Sequence, residues 1–72
     1  MKDTDKVDVV ASQISRVGYD KKEKKLYVDF KTGKNYVYHD VEESVYKEMI
    51  TAESVGSFFS KNVKGKYEYG QC

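Results

Sequence analysis

Seventy-two residues allow one domain, and no apolar run approaches the ~20 residues that span a bilayer. One cysteine, Cys72, excludes an intrachain disulfide, and with His39 it is far short of a four-ligand zinc site, so no metal or cofactor is expected. A net charge of +1 excludes a strongly basic dedicated DNA binder.

The opening, Met1–Lys6, is charged and lacks the apolar stretch of a signal peptide, so it reads as a flexible lead-in to a cytoplasmic protein. Val7-Asp8-Val9 alternates and is either a short edge strand or an extended arm, which places residues 1–11 ahead of the domain proper. A first strand lies between Ser12 and Asp20, carrying Val17 and Tyr19. The polar turn Lys21–Lys24 leads to a second strand, Leu26-Tyr27-Val28-Asp29-Phe30. A four-residue loop there pairs Asp20 with Lys25, Tyr19 with Leu26 and Val17 with Val28. It also sets Arg16 beside Asp29 on the other face. Ile14 falls out of phase with this scheme, which predicts a bulge near Ser15.

Lys31-Thr32-Gly33-Lys34 is read as a three-residue loop. A two-residue loop would force the β-branched Thr32 to positive φ, whereas Gly33 takes a left-handed position readily. Phe30 then faces Lys34, Val28 faces Tyr36, and Leu26 faces Tyr38, so Tyr36 and Tyr38 share the core face of the sheet. Asp40-Val41-Glu42-Glu43 has capping-box spacing, with Asp40 accepting an N–H and Glu43 reaching back. Val45, Tyr46, Met49 and Ile50 follow at helical spacing up to Thr51 or Ala52. Ser54 is the expected N-cap of a second helix carrying Val55, Phe58 and Phe59. Gly56 is expected to permit a close backbone approach there. Lys66-Tyr67-Glu68-Tyr69 alternates and can return as an edge strand, leaving residues 70–72 as a tail. The expected fold is α+β. It is a three- to four-stranded antiparallel meander with two short C-terminal helices on one face. The expected core is Val17, Tyr19, Leu26, Val28, Phe30, Tyr36, Tyr38, Val45, Tyr46, Met49, Ile50, Phe58 and Phe59.

In order and spacing, several stretches together resemble the KTSC domain, over about residues 12–67 of the expected domain 12–69. They are Gly18-Tyr19-Asp20, Leu26–Phe30, Gly33, Tyr36-Val37-Tyr38, Val41, Val45-Tyr46 and Ala52–Phe59. Glu42 stands where that family commonly has Pro, and either residue suits a helix start. The resemblance implies a domain found at the C-terminus of some lysyl-tRNA synthetases and as a stand-alone bacterial or phage protein. It also implies RNA binding as a function suggested by that association.

Charge is unevenly spread: residues 21–39 sum to +4 and residues 40–60 to −4. The lysines Lys21, Lys22, Lys24, Lys25, Lys31 and Lys34 are candidate phosphate contacts, and equally an ordinary solvated surface. The face that the helices leave bare should show Arg16, Tyr27, Asp29, Val37 and His39. It is a candidate for stacking a single strand, for a protein partner or homodimer, or simply for solvent. Adjacent strand residues point to opposite faces, so His39 and Asp40 form no dyad, and no Gly-rich phosphate loop is present. No catalytic residue is assigned, and an enzyme is not expected. Two functions stay open: a non-catalytic RNA or single-stranded nucleic-acid binding module, and a protein-binding regulator, for instance a phage product engaging a host protein through the bare face or a sheet edge.

Overall fold

A computed structural model describes residues 6–9, 11 and 13–71. Residues 1–5 of the proposed lead-in, Val10, Ser12 and Cys72 lie outside the described residues. The elements run β1 (Lys6–Asp8), β2 (Ile14–Asp20), β3 (Lys25–Phe30), β4 (Asn35–Tyr38), α1 (Glu43–Thr51), α2 (Val55–Asn62) and β5 (Tyr69–Gln71). The strands form one antiparallel sheet in the order β1-β2-β3-β4-β5. The meander is therefore extended at both edges, giving five strands where three or four were expected. The returning strand begins at Tyr69 and takes in Gly70 and Gln71, which the sequence reading left as tail.

The two central hairpins carry the predicted registers. Val17 pairs with Val28, Gly18 with Tyr27, and Arg16 with Asp29, with a register shift between Ile14 and Arg16. That shift turns Ile14 onto the core face opposite Phe30. Leu26 pairs with Tyr38, and Val28 with Tyr36. Gly33 sits at φ 97, and its N–H donates to the Phe30 carbonyl at 2.9 Å, as a loop closed by a left-handed glycine requires.

The core takes Ile14, Val17, Leu26, Val28 and Tyr38 from the sheet, Met49 from α1, and Val55 and Phe59 from α2. Val41 and Val63, each in a segment flanking a helix, are fully buried and were absent from the expected core. Tyr19, Phe30, Tyr36, Val45, Tyr46, Ile50 and Phe58 are half-buried and pack around this centre. Each fully buried Leu, Met or Val contributes on the order of 1.5–3 kcal/mol. Tyr19 ties α1 to β2: its ring stacks on Tyr46 at 5.5 Å, and its hydroxyl donates to the Val41 carbonyl.

Two local expectations fail. The capping box does not form, because Asp40 turns the chain at φ 57 and α1 starts after Glu42, which makes no side-chain cap. Gly56 permits no close approach, since a Cβ built there meets nothing within 4 Å. Ser54 does cap α2, its hydroxyl accepting from the Ser57 N–H at 3.2 Å.

Candidate functional site: an aromatic groove with a basic rim

The helices do not cover their whole side of the sheet. On that side, the ends of β3, β4 and β5 face the last turns of α2 across an open groove of about 640 Å³. Five rings form its apolar wall. Phe30 meets Tyr36 edge-on at 5.4 Å and Phe59 at 5.8 Å, and Tyr38 meets Phe59 at 5.5 Å. Tyr69 extends the set onto β5, with its ring 5.5 Å from Tyr36 and 5.3 Å from Tyr38. The register explains the placement: Tyr38 opposes Tyr69 and Tyr36 opposes Gln71, so directly paired residues share the core face. Beyond the cover of α2 that face is no longer buried, and Tyr69 is 58% exposed.

Three lysines stand on the rim. Lys31 and Lys34 come from the β3–β4 turn and Lys64 from the turn after α2, and no carboxylate lines the groove. The Lys31 N–H donates to the Gln13 carbonyl at 2.7 Å, which holds that turn against the start of β2. The N–H groups of Val63 and Lys64 both donate to the Phe59 carbonyl at 2.9 Å. Gly65 at φ 80 then turns the chain toward β5. The His39 N–H donates to the Glu68 carbonyl at 2.8 Å, clamping β5 beside β4. Burial raises the pKa of the Tyr38 phenol, with smaller contributions from the phenols of Tyr69 and Tyr36. Tyr38, buried at the floor of the groove, therefore stays neutral at physiological pH.

The family model of the KTSC domain matches residues 11–67. The chain belongs to the KTSC domain family. It is 36% identical over 59 residues to a protein of Tsukamurella paurometabola, covering 82% of this chain and 88% of that one. It is 35% identical over 60 residues to a lysine–tRNA ligase of Nostoc punctiforme, which is 83% of this chain but only 11% of the ligase. The crystal structure of a KTSC domain protein from Yersinia pestis superposes with a TM-score of 0.90 at 30% identity, covering 96% of this chain and 97% of that one.

The candidate residues read from the sequence fall into three groups on the KTSC fold. Lys31 and Lys34 stand beside Tyr36 and Tyr38 at the groove, not beside Tyr27 on the bare face. Lys21 and Lys24 lean on the acidic start of α1, 3.9 Å from Glu43 and 3.8 Å from Glu42, while Lys22 is exposed and Lys25 half-buried opposite Asp20. Asp20 also accepts from the N–H groups of Lys22 and Glu23, so this turn is organised internally. Arg16, Tyr27 and Val37 occupy the face opposite the helices, where Tyr27 and Val37 are half-buried, and His39, half-buried, follows the end of β4. There Arg16 lies 3.9 Å from both Asp8 and Asp29. Asp29 is itself only 7% exposed, and the Asn35 amide, oriented to donate, lies 3.1 Å from it. Carboxylates thus flank the cation of that face, whereas the groove keeps its cations without them. Sequence reasoning missed Tyr69 and Phe59 as site residues, and gave Lys61, Lys64 and Lys66 a part only if the C-terminal segment folds back beside them, as β5 does. The only available signal was the alternation at Lys66–Tyr69, which located a strand but not its register. Among the described residues no group of three metal ligands occurs, and no helix is long and apolar enough to cross a membrane.

Proposed function

We propose that this KTSC domain is a small non-catalytic binding module that holds unpaired nucleic-acid bases in the aromatic groove. The observation that carries the reading is one surface combining contiguous rings, three unopposed lysines and no carboxylate. Bases stack on tyrosine faces whatever their identity, and lysines meet the phosphates that follow, so binding is sequence-tolerant and salt-sensitive. A volume of about 640 Å³ suits one or two nucleotides rather than a long strand. The lysine–tRNA ligase relative acts on an RNA by its name, which is consistent with this class of ligand.

Fluorescence anisotropy with a short labelled single strand tests the proposal. Three phosphate contacts give a slope of log K against log[salt] near about −2. Tyr69→Ala removes an exposed ring and is expected to weaken binding by about 1–3 kcal/mol with little loss of stability. Lys64→Glu is expected to flatten the salt slope as well as weaken binding. Parent-like affinity in both variants would sink the proposal. The alternative, a protein-binding regulator, is favoured by Tyr27 and Val37, which oppose each other on the sheet face away from the helices. It predicts the reverse profile: Tyr27→Ala abolishes capture of a protein partner after nuclease treatment, and Tyr69→Ala does not.

A further inference from the structure

Past Phe30 and Phe59 the groove continues into a second hollow of about 280 Å³, with Gln13, Phe30, Phe59 and Ser60 bordering both. Its lining differs in kind. Ser54, Ser57 and Ser60 bring hydroxyls, Gln13 brings an amide and Lys61 an ammonium, and no carboxylate is present. Among the described residues the hydroxyls of Ser57 and Ser60 make no hydrogen bond. Gly56 lines the same hollow, although neither packing nor a positive φ calls for glycine there. A Cβ at that position would project into the open space, so glycine keeps the hollow wide at a cost to its own helix.

We infer that this hollow is a ribose subsite that makes the domain prefer RNA to DNA. The inference rests on the reading of the neighbouring groove as a nucleic-acid site. With a base against the Tyr36 and Tyr69 rings, the strand leaves across Phe30 and Phe59, and the adjoining sugar enters the hollow. A 2′-hydroxyl both donates and accepts, as do the serine hydroxyls and the Gln13 amide that face it. A deoxyribose leaves those groups without the partner. The lysines, Lys61 in the hollow among them, attract either nucleic acid, so discrimination falls to the hydroxyls and the amide of the hollow.

Anisotropy titrations with labelled oligouridylate and oligodeoxyuridylate of equal length isolate the 2′-hydroxyl. The parent is expected to bind the RNA about tenfold more tightly, the worth of one or two net hydrogen bonds. Gly56→Leu, which fills the hollow with a better helix former, is expected to melt at or above the parent's temperature. It should lose the preference, weakening the RNA about tenfold more than the deoxy strand. Ser57→Ala with Ser60→Ala should do the same without adding bulk, and serves as the test if Gly56→Leu fails to fold. Equal or tighter binding of the deoxy strand by the parent, or a preference that survives the variants, overturns the ribose subsite and leaves the groove reading standing. Binding of neither strand overturns both.

Discussion

Lys24 closes the β2–β3 turn at φ 56, in the left-handed region that costs an ordinary residue about 1–2 kcal/mol. Its carbonyl accepts from the Val41 N–H at 2.9 Å, a backbone bond that any residue can keep. Its ammonium pairs with Glu42 at 3.8 Å, but both side chains are exposed and the pair contributes little. Lys24→Gly should therefore raise stability by up to about 1 kcal/mol, since the entropy of glycine in the unfolded chain offsets part of the relieved strain. A thermal melt should shift upward by up to about 4–8 °C, and a lower midpoint would refute the account. The comparison with Gly33 shows what a sequence discloses at this scale. Lys-Thr-Gly-Lys announces its left-handed residue because glycine stands there, whereas the loop Lys21–Lys24 has four lysine and glutamate side chains and no such mark. The inward direction of Tyr36 and Tyr38 was legible for a similar reason: period-two alternation leaves only two choices, and Leu26, Val28 and Phe30 decide between them.

The two helices start differently. Ser54 is an N-cap whose hydroxyl accepts the Ser57 N–H, while Glu42 has the extended backbone of an N-cap, φ −70 and ψ 147, with no capping bond. Ser54→Ala should cost about 1 kcal/mol, and Glu42→Asp should recover several tenths, because a shorter carboxylate reaches the free N–H groups of the first turn. Urea titrations that moved both midpoints in the same direction would contradict this reading. Asp40-Val41-Glu42-Glu43 signalled a helix start two residues early, and the cap it implied does not form. Val41, fully buried, pins the chain between β4 and α1, and Tyr19 holds its carbonyl. Nothing local in the sequence reports that tertiary restraint. Element order and type were legible; where α1 begins was settled by packing.

For the whole molecule, the groove exists because α2 stops short of β5. The placement of β5 depends on the turn from Val63 to Glu68, and neither follows from local pattern. A search by alternation finds Tyr36 and Tyr38 and judges them covered, since it cannot say how far the cover extends. The same packing fixes how the protein responds to alkali. Burial raises the phenol pKa of Tyr19, Tyr38 and Tyr46 above the ordinary 10.0, assisted at Tyr19 by Glu42, Glu43 and Asp20. Below pH 10 these phenols are protonated in both folded and unfolded chains, so they add no pH dependence. Above it the unfolded chain releases protons that the fold retains, and stability falls as pH rises toward the folded values. Tyr19 sharpens the effect, because a phenolate cannot donate to the Val41 carbonyl that it holds. The urea midpoint should thus drop above about pH 10, and phenolate absorbance from the buried tyrosines should rise with unfolding rather than before it. Tyr19→Phe, which lacks the ionisable group, should shallow the drop while lowering stability at neutral pH. Phenolate absorbance that reaches its full value while the chain stays folded would refute the argument.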